Sequence, residues 1–217
     1  MKIVGRILVF LSVVMTASLL HARVTPVHLR CEYRMNPLGI DMSAPRLSWQ
    51  LESGDRAQSQ SAYQILAAQN ATLLAENRGD VWDSGKIESN RQNQIVYAGN
   101  PLQSGQRIFW KVRVWDGSGV VSDYSAPAWW EMGLLKSDDW QGQWIALDEP
   151  APATDRERYG ENPVPLFRKS FSTNKEIKSA RAYVCGLGYY EMTLNGQRIG
   201  DHWLDPACTA YGKRVFY

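Results

Sequence analysis

Phe109-Trp110-Lys111-Val112-Arg113-Val114-Trp115, followed directly by Asp116-Gly117, decides the fold. Successive side chains of an extended strand point to opposite faces, so Trp110, Val112 and Val114 share one face while Phe109, Lys111, Arg113 and Trp115 share the other. The first face is wholly apolar and reads as core. The second mixes rings with cations and reads as the amphipathic outside of a half-buried sheet. Asp-Gly at the end of such a run predicts a tight hairpin turn, and Ala128-Trp129-Trp130-Glu131-Met132 returns as the closing strand.

Upstream, the same period-two text recurs in short pieces. His28-Leu29-Arg30-Cys31-Glu32-Tyr33 alternates and Asn36-Pro37-Leu38-Gly39 turns; Arg46-Leu47-Ser48-Trp49-Gln50-Leu51 alternates and Ser53-Gly54-Asp55 breaks it. Ala62-Tyr63-Gln64-Ile65-Leu66-Ala67, Val81-Trp82-Asp83 and Gln94-Ile95-Val96-Tyr97 follow. About seven strands in roughly 105 residues, with no amphipathic helix, predict a fibronectin type III or immunoglobulin-like sandwich over residues 23–134. Trp49, Trp110 and Trp130 are its expected core aromatics.

Downstream, Gly133 to Trp144 is the joint, with Asp138-Asp139 as a solvated linker. Gln143-Trp144-Ile145-Ala146 opens a second unit, assigned to residues 139–217. Its expected strands are Leu166-Phe167-Arg168-Lys169-Ser170-Phe171, Ala180-Arg181-Ala182-Tyr183-Val184 and Tyr189-Tyr190-Glu191-Met192-Thr193-Leu194, the last closed by the hairpin dipeptide Asn195-Gly196. Between the first two lies a polar, proline-containing loop from Asp148 to Pro165. The chain ends at Val215-Phe216-Tyr217 inside what reads as another strand, so the second sandwich is expected to be incomplete, with an open edge that native proteins normally cover.

The 217 residues are 44% hydrophobic and 21% charged, which excludes disorder and collagen. Twenty-four basic residues face twenty-two acidic ones, and Lys2 and Arg6 alone account for the excess. No nucleic-acid footprint is present. Those two cations precede the apolar run Ile7 to Leu20 and the small residue Ala22, so residues 1–22 read as a secretory signal. A membrane anchor is the competing reading, but fourteen apolar residues at 1.5 Å rise reach about 21 Å, short of a roughly 30 Å hydrocarbon core. The mature chain is expected to be exported, without a membrane span.

Chemistry-bearing patterns are scarce. Cys31, Cys185 and Cys208 are an odd set without CxxC or a His/Cys cluster; they read as ordinary buried thiols, with Cys185–Cys208 pairing open, and zinc is not expected. There is no G-x-S-x-G, and Gly186-Leu187-Gly188 reads as a turn between strands, not a phosphate loop. Asn70-Ala71-Thr72 is a bare glycosylation sequon. Glycoside cleavage needs two carboxylates flanking one bond, yet Asp138, Asp139, Glu191, Asp201 and Asp205 fall on a linker, an outward strand position and turns. No catalytic residue is assigned. Aromatic side chains stack on the apolar faces of sugars, and Tyr189, Trp203 and Tyr211 lie on or near turns of the second unit. Tyr189 and Trp203, with Asp201, are the candidate carbohydrate-binding residues.

Several of these stretches also carry a resemblance. Leu29-Arg30-Cys31-Glu32-Tyr33, Asn36-Pro37-Leu38-Gly39-Ile40-Asp41 and Pro45-Arg46-Leu47-Ser48-Trp49 resemble the opening of bacterial α-L-rhamnosidases of glycoside hydrolase family 78. Gln60 to Ile65, Trp82 to Lys86, Trp110 to Asp116 and Ala180 through Gly196 continue the resemblance in the family's order, over essentially the whole mature chain. It implies a string of β-sandwich modules, then an (α/α)₆ barrel that holds the carboxylates and hydrolyses terminal α-L-rhamnosides with inversion. This chain matches only the fibronectin-like module and the start of a lectin-like (jelly-roll or galactose-binding-like) one. No family catalytic residue has a counterpart here. In some relatives the second module is similar to a calcium-dependent rhamnose binder, which would place Asp201, Asp205 and Asn195 as calcium ligands; a turn held by its Asp side chains is the competing reading. Otherwise no cofactor is implied.

The expectation is therefore an exported all-β protein, periplasmic or cell-surface in a Gram-negative-type bacterium. It reads as the non-catalytic N-terminal accessory region of an α-L-rhamnosidase, with a rhamnose-containing glycan or glycoside as partner and oligomeric state open. The alternative is a stand-alone exported carbohydrate-binding or adhesion module.

Overall fold

A computed structural model describes residues 24–148, 150, 152–160 and 164–217. The expected export signal, residues 1–22, lies outside the described residues. The chain divides into two units between Ile145 and Ala146.

Among the described residues, eight strands build the first unit: β1 (Thr25–Cys31), β2 (Arg46–Glu52), β3 (Gln60–Ala68), β4 (Trp82–Asp83), β5 (Ile87–Glu88), β6 (Ile95–Val96), β7 (Arg107–Asp116) and β8 (Ala128–Glu131). One sheet has the order β1-β2-β6; the other runs β4-β3-β7-β8, with β5 also on β3. All named strand pairs are antiparallel. The all-β sandwich expected from the alternating text is the fold found.

β7 sits at its centre. Ile108, Trp110, Val112 and Val114 are fully buried, in one cluster with Leu47 and Trp49 of β2, Ile65 of β3 and Trp130 of β8. The inner face is therefore the one alternation predicts. Edge-to-face ring contacts run through the core from Trp82 to Tyr97 (5.3 Å), Tyr97 to Trp130 (5.9 Å) and Trp130 to Trp110 (6.4 Å). Such pairs add about 0.5–1.5 kcal/mol each beyond area burial.

Three local expectations are corrected. The first strand ends at Cys31, not Tyr33, because Glu32 (φ 46°) and Tyr33 (φ 67°) turn left-handed and Arg34 pairs back onto Cys31 through two 3.0 Å hydrogen bonds. The loop after β7 is wider than an Asp-Gly turn. Gly119 holds the left-handed position (φ 80°) and donates its N–H to the Asp116 carbonyl, while Asp116 Oδ1 accepts from the N–H groups of Ser118 and Val120. A short helix, α1 (Ala71–Ala75), also appears, its first turn capped by Asn70 Oδ1 on Leu73 N–H. The sequon asparagine thus serves the backbone.

Between the loop and β8 the chain flanks β7 without regular pairing, and serines complete the ladder. Val114 N–H donates to Ser122 Oγ and Val112 N–H to Ser125 Oγ, while the Ser122 and Ser125 N–H groups donate to the carbonyls of Val114 and Val112. The far side of β8 is covered by residues 36–40. Glu131 N–H bonds the Pro37 carbonyl, Ile40 N–H the Glu131 carbonyl, Gly133 N–H the Ile40 carbonyl, and Trp129 N–H the Asn36 side chain. A sheet edge that would otherwise present free backbone groups is closed.

The joint is ordered where a solvated linker was expected. Ser137–Asp139 form a 3₁₀ turn, and Asp139 Oδ2 accepts from Ser104 Oγ and from Lys136 N–H at 3.0 Å. These bonds hold the Asp139 carboxyl below its ordinary range, the Ser104 contact most of all.

The second unit contains a one-turn helix, α2 (Asp155–Arg158), capped by Thr154, and a hairpin of β9 (Thr193–Leu194) and β10 (Gln197–Arg198). Asn195 (φ 50°) and Gly196 (φ 80°) make the left-handed pair that a two-residue hairpin needs, as expected. The runs 143–146, 166–171 and 180–184 form no ladder among the described residues. β-prone side chains make a strand only where a neighbouring strand takes their backbone hydrogen bonds, and here none does. Leu166, Phe171 and Ile177 are exposed accordingly.

Candidate carbohydrate-binding site

The hairpin and the loop after it assemble the candidate site. Met192 extends the β9–β10 pairing through its carbonyl to Ile199 N–H at 2.8 Å, and Tyr190 N–H donates to the Asp205 carbonyl at 2.9 Å. Residues 189–190 therefore lie beside the end of loop 199–206, which brings the stretches bearing Tyr189 and Trp203 into one neighbourhood.

Within the loop, the Arg198 guanidinium lies 3.7 Å from the centroid of the Trp203 ring and donates through Nη2 to the His202 carbonyl. Cation–π contact and hydrogen bond together fix the indole. Trp203 nonetheless remains 69% exposed and Tyr189 58% exposed. The Tyr189 hydroxyl meets Cys208 Sγ at 3.9 Å, and this contact with the thiol pushes the phenol above its usual range. Tyr190 is raised chiefly by burial and then by the Asp205 charge.

Asp201 Oδ1 and Asp205 Oδ2 stand 3.7 and 3.6 Å from His202 Nδ1. The expected calcium ligands thus converge on an imidazole. No group of three or more His, Cys, Asp or Glu suited to a metal gathers among the described residues. Asn195 holds the first left-handed position of the hairpin turn. Six to eight oxygens are what a calcium ion requires, and this donor set does not fit it. What the loop offers is an open indole face, a phenol nearby, and two carboxylates able to accept hydrogen bonds from sugar hydroxyls.

Sequence reasoning singled out Tyr189, Asp201, Trp203 and Asp205 but missed Arg198. Its signal, a cation leaving a hairpin five residues before a Trp, is not specific. The three cysteines are free: Cys31 is buried, and burial foremost pushes its thiol up to about 12. Cys185 is half-buried and Cys208 exposed, so the expectation of three buried thiols holds for Cys31 alone. No described helix is long and apolar enough to cross a membrane.

Residues 26–136 match the family model of the Rha78A-like N-terminal immunoglobulin domain, and residues 175–217 that of the α-L-rhamnosidase N-terminal domain. An α-L-rhamnosidase of Streptomyces avermitilis is 47% identical over 198 residues, covering 81% of this chain and 19% of its own length; one from Formosa agariphila is 38% identical over 199 residues, covering 85% and 21%. The chain therefore spans about a fifth of the length of these curated relatives. Among solved structures, the Dictyoglumus thermophilum α-L-rhamnosidase matches with a TM-score of 0.77 at 39% identity, over 88% of this chain and 22% of that one. The Streptomyces avermitilis enzyme, solved with L-rhamnose, matches at 0.54 and 44% identity, over 57% and 12%.

Proposed function

We propose, from the premise that the chain belongs to the α-L-rhamnosidases through its Rha78A-like N-terminal immunoglobulin domain, that it is an accessory region serving hydrolysis of terminal α-L-rhamnosides, and that loop 198–205 engages the rhamnose-containing glycan. One observation carries the sugar-binding part: Trp203 is pinned by Arg198 yet open to solvent, on a loop whose two carboxylates gather at the neighbouring His202. A fixed ring supplies stacking without losing side-chain freedom on binding, and carboxylates accept the hydroxyl hydrogens of a sugar. That a similar solved enzyme was captured with L-rhamnose supports the choice of sugar.

Cleavage itself lies elsewhere in the enzyme. Inversion uses one carboxylic acid to protonate the glycosidic oxygen and a carboxylate about 6.5–9.5 Å away to activate water. Glu32 and Asp139 are each held below the ordinary carboxylate range by hydrogen bonds to Arg46 and Ser104, the reverse of what a general acid needs. The basic start and apolar run of residues 1–22 support delivery to the periplasm or cell surface, and N-terminal sequencing of exported protein should begin near Arg23.

Calorimetric titration of the purified chain with methyl α-L-rhamnoside tests the site. Binding is expected, lost in Trp203→Ala and weakened in Arg198→Ala, with no turnover of an aryl α-L-rhamnoside. Absence of binding at millimolar sugar would sink the sugar assignment, and turnover abolished by Asp205→Asn the accessory one.

A further inference from the structure

The face of the β4-β3-β7-β8 sheet turned away from the core is only partly covered. Leu66 and Ala68 pack with Leu74 of α1, and Phe109 and Tyr124 lie against them. Beside that patch the register gathers polar groups. Gln64 of β3 stands opposite Arg113 of β7, and Asp83 of β4 stands opposite Leu66, which is two residues from Gln64 and on the same face.

Contacts join these groups to two half-buried rings, Trp115 and Tyr124. The Arg113 guanidinium lies 4.9 Å from the centroid of Tyr124 and 5.3 Å from that of Trp115, and it donates through Nε and Nη2 to Gln64 Oε1 at 2.9 and 2.7 Å. The Tyr124 hydroxyl reaches the same oxygen at 3.3 Å. Gln64 Nε2 donates in turn to Asp83 Oδ1 at 2.7 Å, which also accepts the Gly85 N–H at 2.9 Å. Burial foremost raises the Tyr124 phenol, while the Arg113 charge lowers it and the Asp83 charge raises it, so both charges act at this ring. The other cations of the row are occupied: Lys86, 5.0 Å from the Trp115 centroid, pairs with Glu88, and Lys111, 4.6 Å from that of Tyr124, is held by Asn77.

Two groups are therefore fixed in place with bonding capacity left over. Among the described residues Arg113 makes no ion pair and its Nη1 no hydrogen bond, and Asp83 Oδ2 accepts none. A guanidinium edge matches a carboxylate with two parallel hydrogen bonds. A carboxylate one amide away accepts hydroxyl hydrogens but repels a ligand that carries negative charge alone. A uronic acid has both features, one carboxylate on a ring of hydroxyls, and its apolar C–H faces suit flanking aromatic rings. We propose that Arg113, Asp83, Gln64, Tyr124 and Trp115 form a second sugar site, on the first unit, for a uronate residue of an acidic glycan. Arg113 takes the carboxylate, Asp83 takes hydroxyls, and Trp115 and Tyr124 flank the pyranose. The site is independent of sugar binding by loop 198–205.

Affinity electrophoresis of the full chain in gels carrying polygalacturonate or alginate tests it, with fully methyl-esterified polygalacturonate and polyglutamate as controls. Retardation is expected with at least one uronate polymer and with neither control. Arg113→Gln should weaken it about tenfold or more, the loss of a bidentate charged contact. Asp83→Ala should weaken it too, whereas a plain cationic patch would bind tighter without that acid. Near-ultraviolet circular dichroism reports that the variants keep the core. No retardation by either uronate polymer, equal retardation by the ester or by polyglutamate, unchanged retardation of Arg113→Gln, or tighter binding by Asp83→Ala would each overturn the proposal. Trp203→Ala should leave the retardation intact and Arg113→Gln should leave the response to methyl α-L-rhamnoside intact, so that the two sites fail separately.

Discussion

Gln60 is buried on β3 with its amide fully used: Oε1 accepts Trp49 Nε1–H at 3.0 Å, and Nε2 donates to the carbonyls of Ser89 at 2.9 Å and Arg91 at 3.0 Å. Gln60→Ala strands all three partners and should cost about 2–3 kcal/mol in urea unfolding of the first unit; a loss below about 1 kcal/mol would mean that solvent replaces the amide. Trp110 is the contrasting case, because its Nε1–H has no acceptor among the described residues. Trp110→Phe therefore removes packing only, and about 1–2 kcal/mol is expected against about 3–5 for Trp110→Ala. Glu32 supplies a pH signature. Its folded pKa is lowered, first by the Arg46 side-chain hydrogen bond, so its stabilisation is complete above the unfolded value of about 4.3 and is lost as pH falls through the lowered folded value. Thermal melts should fall more steeply below about pH 4.3 in the parent than in Glu32→Gln, and parallel curves would show that the pair contributes nothing. Of these residues, alternation alone placed Trp110 inward. Gln60 was illegible, because a buried amide looks like any polar residue until the carbonyls of a distant loop arrive.

Turns and strands divide along the same line. Asn195-Gly196 was legible since a two-residue hairpin depends on the conformations of its own residues. The loop after β7 was misplaced because Asp116 spends its carboxylate on the N–H groups of Ser118 and Val120, which moves the left-handed position on to Gly119. A Cβ at Gly119 would meet nothing within 4 Å, so Gly119→Ala isolates backbone cost. About 1 kcal/mol of destabilisation is expected by thermal unfolding, and an unchanged melting temperature would show that the loop relaxes freely. The candidate site was half legible: rings and carboxylates near a turn announce themselves, while the guanidinium that pins one of them depends on how the loop folds back.

At the scale of the molecule, the two units differ in kind. The first buries a continuous core between two sheets, whereas the second exposes Leu166, Phe167, Phe171 and Ile177 and, among the described residues, pairs β9 with β10 and bridges Tyr190 to Asp205. Hydrogen exchange followed by mass spectrometry should show residues 164–192 exchanging within seconds while β3 and β7 exchange only on global opening; equal protection of both would mean that the second unit carries a core of its own. Periodicity identifies strands worth burying but not whether a partner strand is at hand, which is why the sandwich was readable and the second unit was not. The strap of residues 36–40 along β8 has a mechanical meaning. β8 is hydrogen-bonded to β7 on one side and to Pro37–Ile40 on the other, and the chain after it is tied back to the same unit through Leu135 and Asp139, both bonded to Ser104. A pull on the chain beyond Asp139 loads the Ser104 contacts first and then runs along the strand and across both rows of bonds. The rows must then shear together instead of opening one at a time like a zip, so the first unit resists tension applied through its last strand.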